Sequence, residues 1–509
     1  MRNCTQRFVL QPLIKYPTFF FLLLLLVGSF VSIYFLNIPI LNRSNSGQVI
    51  ITKTTSDKCP QENKVHKTYK EIPLNCTGYA NTQTCPSNNK PAYISEQDPN
   101  CSSELSTCPE YFQWIYEDLR PWFRTGITSE MVDKAKAKSH FKLVILNGKA
   151  YVEKYGKAFQ TRDLFTWWGF AQLLRRYPGQ VPDLELVFSC HDWPAFLARD
   201  YPKANATDTG ILFGYCGDDD TVDIAFPDWS YWGWPEVNIK PWEYMVKDIG
   251  QGNKNMKWVD REPFAFWKGN PGYAQARKDL MKCNRTEKED WNARLYTQDW
   301  GKESKEGFKN SDLASQCTHR YKIYVEGNAW SVSQKYILAC DSLTLLINSS
   351  YYDFFSRGLK PLQHYWPIKA NDKCRSIKHA VDWGNTHQKE AQAIGKAATK
   401  FIKEELKMDH VYDYMFHLLN VYAKLLKFKP SIPQKAFELC LESMFCQANE
   451  LEKRYMMDSM VRGPADTNPC TMPPPFGPSF YEILDKTADS FKKVDLLEKR
   501  YWENQNKSR

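Results

Sequence analysis

YKIYVEGNAWSVSQKYILACDSLTLLINSSYYDFFSRGLKPLQHYWP, residues 321–367, decides the fold. It opens on a short apolar run, residues 321–325, that reads as a buried strand. The run breaks at Glu326-Gly327-Asn328. The chain restarts as a predicted helix carrying Ser331, Ser333 and Lys335, and a second apolar run, residues 343–347, reads as the next strand. Strand, glycine turn, helix, strand is the βαβ unit of an open parallel sheet. Such sheets bind ligands outside the carboxyl ends of their strands. A glycine turn leading into a helix suits an anion, because free backbone N–H groups point outward there. An ordinary crossover without a ligand reads the same way.

A second junction of this kind lies upstream. Residues 264–267 form a short strand ending in Lys268-Gly269-Asn270-Pro271-Gly272, with Arg277 on the following helix. Lys268 and Arg277 are candidate partners for a diphosphate, which arginine can grip bidentately. Further back, residues 184–189 (LELVFS) read as a strand that runs into Cys190-His191-Asp192-Trp193-Pro194. Proline stops the pairing, so Asp192 is expected just past the strand's carboxyl end. A carboxylate placed there can act as general base; capping the next helix is the other job of such an Asp. Residues 223–234, DIAFPDWSYWGW, crowd tryptophans and a tyrosine between Pro227 and Gly233. This reads as an aromatic loop, either a shelf for a sugar or peptide acceptor or a packing corner between domains. Residues 141–146 and 150–154 read as strands joined by the turn Asn147-Gly148, and residues 166–177 as an amphipathic helix. From 388 to 428 the apolar spacing is helical, with core stripes only.

The chain has 509 residues, enough for two or three domains, and 15% aromatic residues with 17 Trp and 28 Tyr. Net charge is +9, but the cations are scattered, which argues against a nucleic-acid groove. Residues 19–36, FFFLLLLLVGSFVSIYFL, carry no charge and approach the length that spans a bilayer. Arg2, Arg7 and Lys15 precede them, so an uncleaved anchor is expected to leave the N-terminus in the cytosol and the rest in the lumen; a cleaved signal peptide is the alternative, but no small-residue cleavage site is found. Of the 15 cysteines only Cys4 falls on the cytosolic side, so the others can pair in an oxidising compartment. Their connectivity is not legible. In the expected luminal part sequons begin at Asn42, Asn75, Asn100, Asn205, Asn284, Asn348 and Asn506, and no KDEL-like tail follows, which together suit a Golgi protein. Asp218-Asp219-Asp220 contains the D-x-D pattern of metal-dependent transferases, but reads better as an acidic turn after Gly217.

The blocks PDLELVFSCHDWP (182–194), DIAFPDWSYW (223–232), FWKGNPGYAQAR (266–277), EGNAWSVSQKYILAC (326–340) and LKPLQHYWPI (359–368) together resemble the CAP10-like, or Rumi-type, protein O-glycosyltransferase family, in its plant branch. The resemblance covers about residues 111–430. It implies an α/β fold: a GT-B-like pair of Rossmann-type domains behind an N-terminal transmembrane anchor and stem. The expected division is a cytosolic tail (1–18), a signal anchor (19–36), a stem containing a disulfide-stapled segment (37–110), an acceptor-side half (111–255), a donor-binding half (256–430) and a helical, Pro-rich tail (431–509). The resemblance also implies an inverting transfer of glucose or xylose from UDP-glucose or UDP-xylose to a hydroxyl of a protein or polysaccharide. It implies no metal or other cofactor; the UDP-sugar is a co-substrate. The catalytic aspartate falls on Asp192. The donor segments fall on Lys268, Gly269, Asn270, Arg277, Gly327, Ser331, Ser333 and Lys335. Acceptor contacts fall on Arg162 and on Trp229, Ser230, Tyr231, Trp232 and Gly233. Animal members carry arginines where this chain has Glu326 and Ser333, which leaves Lys335 as a replacement cation. Two rivals are a glycoside hydrolase, which needs a second carboxylate about 5–9 Å from the first, and a non-catalytic sugar- or nucleotide-binding protein on the same fold.

Overall fold

Among the described residues thirteen strands carry the fold. In chain order they are β1 Phe141–Leu146, β2 Lys149–Lys154, β3 Leu184–Phe188, β4 Phe213–Gly214, β5 Gly217–Asp218, β6 Ile224–Ala225, β7 Glu262–Gly269, β8 Ala293–Thr297, β9 His319–Tyr324, β10 Leu343–Ile347, β11 Tyr351–Tyr352, β12 Trp366–Ile368 and β13 Phe437–Leu439. The computed structural model describes residues 74–82, 84–86, 106–200, 210–475 and 477–507, all within one unit, His66–Arg509. The expected membrane anchor at 19–36 and most of the expected stem lie outside the described residues. Among the described residues no helix is long and apolar enough to cross a membrane.

The second sheet is wholly parallel, in the order β12-β10-β9-β7-β8. Its inner strands are largely buried, five of six residues in β9 and four of five in β10, as a parallel sheet covered on both faces requires. The βαβ reading holds: β9 and β10 pair in parallel, Leu343 opposite Tyr321 and Leu345 opposite Ile323, around the short helix Ser333–Leu338. From β7 the chain moves outward to β8, then returns to the other side of β7 to lay down β9. The strand order therefore reverses between β7 and β9. Loops leaving these two carboxyl ends diverge and open the crevice where such sheets hold ligands.

The first sheet, β13-β2-β1-β3-β4-β6, departs from a Rossmann-type half. β1 pairs antiparallel with both β2 and β3, and only β3-β4-β6 is parallel. The reason is local. Asn147 (φ 51°) and Gly148 (φ 74°) both adopt positive φ, the geometry of a two-residue hairpin turn, and a hairpin imposes antiparallel pairing. The outer edge is closed by β13, antiparallel to β2, from the stretch read as a tail.

Disulfides also tie that stretch into the body. The cysteines expected to staple a stem segment pair instead across the chain: Cys76–Cys446, Cys85–Cys440 and Cys108–Cys470. Each closes a loop of hundreds of residues, which restricts the unfolded chain and stabilises the fold by about 2–4 kcal/mol per bridge. Cys283–Cys374 and Cys317–Cys340 pin the parallel half. The helix Gln388–Glu404 joins the two cores. Ala391 and Ile394 pack under the parallel sheet, while Ala398, Phe401 and Ile402 pack with the first core. The next helix, Met408–Leu425, belongs to the first core, where the Tyr422 hydroxyl donates to the Glu185 carbonyl.

Candidate active site

Asp192 sits just beyond β3, where the pairing ends before Pro194. Two side chains grip its carboxylate. Arg162, at the start of the helix Arg162–Arg176, donates Nη1 to Oδ1 at 2.7 Å and to the Cys190 carbonyl at 3.1 Å. Asn328, in the turn after β9, donates Nδ2 to Oδ2 at 3.2 Å. The carboxylate thus touches both halves of the molecule. The Arg162 guanidinium is buried over the Trp229 ring, 4.4 Å from its centroid, so its own position is set by packing. It aims the carboxylate through Nη1, and its side chain is largely buried. The strand end is held from behind: Cys190 N–H donates to His140 Nδ1 at 3.0 Å, and the Cys216 thiol donates to the Asp192 carbonyl at 3.1 Å. Burial, then the charges of His191 and Arg162, push His140 down to about 4, so it is the neutral acceptor this contact needs.

Across the cleft lie the loops of the β7/β9 switch point. Arg277 joins them. Its Nε donates to the Glu326 carbonyl (2.9 Å), Nη1 to the Asn270 carbonyl (3.4 Å) and Nη2 to Ser331 Oγ (3.1 Å). Burial lowers its pKa from the ordinary value, while the charges of Tyr324 and Asp192 raise it. Ser331 also bonds Ser333 Oγ at 2.9 Å. Gly327 is needed for closeness: a Cβ there would sit 3.2 Å from the Trp330 carbonyl and 3.4 Å from Arg277 Nη2. At Gly269 a Cβ would meet the Trp267 ring at 2.5 Å. Lys268, half-buried, donates to the Asn310 carbonyl, and Asn270 caps the turn by accepting from Gly272 N–H at 2.8 Å. The Glu326 carboxylate turns away, accepting from Ser349 Oγ (2.8 Å) and Ser350 N–H (3.2 Å). Lys268, Gly269, Asn270, Arg277, Gly327, Ser331 and Ser333 therefore gather around one crevice.

Lys335 does not join them. Its side chain is 1% exposed and its ammonium donates to Asp228 Oδ2 at 3.0 Å, beneath Tyr231 and Tyr336. The pair ties the Ser333–Leu338 helix to the aromatic loop, and the charge expected for a donor is spent inside the protein.

The aromatic loop is the packing corner and not an open shelf. Trp229, Ser230, Tyr231 and Trp232 are at most 1% exposed, and Gly233 is buried beside Tyr455. Trp232 Nε1 donates to Tyr412 Oη at 2.9 Å, and Ser230 Oγ to Asp228. The rings open to solvent near Asp192 are others. Trp193 (52% exposed) stacks with His191, and Phe159 (57% exposed) lies against Arg162. Their signal was position alone: one follows the strand end directly, the other precedes a helix start. In sequence Asn328 is only a turn residue, and nothing local marks its reach to Asp192.

The acidic run forms a turn as read. Asp218 opens it on β5, its Oδ1 accepts from Asp220 N–H at 3.0 Å, and Asp219 and Asp220 are exposed.

Comparison with known proteins bears on the chemistry. O-glucosyltransferase rumi of Drosophila melanogaster is 25% identical over 356 residues, 67% of this chain and 81% of the relative. Protein O-glucosyltransferase 1 of Homo sapiens is 25% identical over 347 residues, 64% of this chain and 83% of the relative. The O-glucosyltransferase rumi homolog of Aedes aegypti is 26% identical over 350 residues, 66% of this chain and 82% of the relative. The family model described as glycosyl transferase family 90 matches residues 103–498, a span that contains both sheets, the Asp192 carboxylate and the switch-point crevice. This chain belongs to glycosyl transferase family 90.

Proposed function

We propose that the protein moves glucose or xylose from a UDP-sugar to a hydroxyl of a protein or glycan, with inversion and without a metal, Asp192 acting as general base. The carrying observation is the Asp192 carboxylate itself. It lies past a strand end, is aimed by Arg162, and meets Asn328 from the switch-point turn that faces it. In the proposed reaction the carboxylate takes the acceptor's hydroxyl proton as that oxygen bonds to the anomeric carbon. The bond from that carbon to UDP breaks on the opposite face, and UDP leaves with the electron pair. Arg277, the Ser331 and Ser333 hydroxyls, Lys268 and the backbone at Gly269 and Gly327 are the groups that would stabilise the leaving diphosphate. Glucose is favoured by the names of the relatives, which are O-glucosyltransferases.

With Trp229–Trp232 buried, Trp193 and Phe159 take over as the acceptor wall in this reading, because their faces are open beside the base. The uncharged segment at 19–36 and the luminal cysteines support a single-pass type II protein of the Golgi or endoplasmic reticulum. The test is a screen of the protein against UDP-glucose, UDP-xylose and other UDP-sugars with secreted-protein and glycan acceptors, scoring UDP release and the anomer formed. Acceptor-dependent UDP release with an inverted anomer is expected. Release of reducing sugar without nucleotide dependence would replace the reading with a hydrolase.

A further inference from the structure

A small cavity that shares Lys268 and Ser333 with the switch-point crevice lies between β7, β9 and the Ser333–Leu338 helix. Phe266 and Ile337 are among its apolar walls, and the half-buried Lys268 and Ser333 line it together with Gln316 and Lys322. Lys322 is unusual there. It stands on β9 opposite Phe266, is 5% exposed, and among the described residues its ammonium makes one hydrogen bond, to the Gln316 carbonyl at 3.0 Å. A protonated amine has three N–H donors, so this cation is under-satisfied in a site with apolar walls. Among the described residues no carboxylate lines this cavity.

We propose that Lys322 donates to an oxygen of the uridine nucleotide bound in this crevice, and that nucleotide binding therefore takes up a proton at this amine. The inference rests on the UDP-sugar reading above and extends it to a residue that reading does not use. The charged and titratable groups around the amine agree. Arg261, from the turn before β7, raises the local positive potential; it is itself buried against the Cys340 carbonyl and Ser342. His319, on the same strand, is held to about 4 by burial first and then by Lys322 and Arg294, so it is neutral. Lys268 lies on the neighbouring strand and Tyr336 on the covering helix. Burial, with Arg261, brings Lys322 down to about 7, so above neutrality the empty site holds mostly the free amine. A bound acceptor oxygen stabilises the ammonium and raises that value. Affinity is then greatest below pH 7 and falls as pH rises through it, by a factor approaching about tenfold per pH unit.

The experiment is calorimetric titration of the whole protein with UDP at pH 8 in two buffers of different ionisation enthalpy. The terminal phosphate of UDP is already ionised there, since its second pKa is about 6, and contributes no uptake. Uptake of most of one proton per UDP is expected, with affinity rising between pH 9 and pH 7. Lys322→Met should abolish the uptake and weaken UDP binding roughly tenfold or more at pH 6.5. Lys322→Arg, charged throughout this range, should bind UDP without uptake, and covers the case in which the methionine variant fails to fold. UDP binding without proton uptake, or uptake that persists in either variant, would overturn the inference while leaving the donor reading intact. No UDP binding at any pH would overturn both.

Discussion

Replacing Asp192 with asparagine separates the base from the scaffold. The side chain keeps its shape. Its carbonyl oxygen can still accept from Arg162 Nη1, now 2.7 Å from Oδ1, while its amide can keep the 3.2 Å contact only by donating to Asn328 Oδ1 once that carboxamide turns over. Arg162 retains the Cys190 carbonyl. Because the Asp192 side chain is 29% exposed, the structural cost is expected nearer about 1 kcal/mol than the 3–5 kcal/mol of breaking a fully buried pair. The catalytic cost is larger. Loss of a general base costs about 10²–10⁴-fold in rate, or about 3–5 kcal/mol of barrier at 1.36 kcal/mol per decade. The assay compares kcat by UDP release with UDP affinity by calorimetry on the same preparation, with a thermal melt as control. A fall of at least a hundredfold in kcat, on the order of the lower general-base limit, with unchanged UDP affinity is expected. Turnover within about threefold of the parent, less than 1 kcal/mol of barrier, would show that Asp192 is not the base.

Arg277→Ala should weaken UDP binding by about 1.5–3 kcal/mol, the worth of a charge-assisted hydrogen bond, and unchanged affinity would make Arg277 a structural clamp between the loops. Lys335→Met should instead destabilise the fold by about 3–5 kcal/mol in denaturant, because it strands the buried Asp228 carboxylate; a loss of UDP affinity at unchanged stability would contradict its burial. Burial raises the Asp353 carboxyl from 3.8 to about 6, the Phe355 and Ser356 amides and Lys335 notwithstanding. The folded state holds this proton more tightly than the unfolded one, so the contribution is most favourable below 3.8 and is lost as pH rises through 6. Asp353→Asn should therefore stabilise above pH 6, by at most about 3 kcal/mol, and gain nothing at pH 4; equal shifts in Tm at pH 4 and 7.5 would refute the assignment. Transfer should persist in EDTA and survive Asn at Asp218 and Asp220, whereas loss restored by Mn²⁺ would establish a metal-dependent mechanism.

The parts of this site legible in the sequence are those set by neighbours in the chain. β9, its glycine turn and β10 were readable because apolar residues dominate both buried runs, Lys322 excepted, and the turn is marked by its own residues. Asp192 was readable because Pro194 bounds the apolar run, although the pairing itself already stops at Phe188. The Asn147-Gly148 turn was readable as well, and already carried the antiparallel hairpin that a Rossmann-type half would lack. The antiparallel partner at β13 was not, since it arrives from residues 437–439 with no pattern that names its edge.

What could not be read depends on partners far along the chain. Lys335 and an aromatic loop next to glycine turns look the same in sequence whether they face solvent or core. The difference is Asp228, 107 residues before Lys335, which turns its ammonium inward, and Tyr412, 180 residues after Trp232, which satisfies the indole and seals the loop. Once those polar groups have internal partners, burying them costs little, and the rings around them gain the full benefit of leaving water. The same logic moves the exposed aromatic surface to Trp193 and Phe159, which have no such seal. It also explains why the carboxylate can be aimed so firmly. Arg162 is fixed by the buried Trp229 face and Lys335 by Asp228, so the loop whose burial removes it as an acceptor shelf becomes the rigid backing for the base. A shelf of exposed tryptophans would have left that guanidinium, and with it Asp192, free to move.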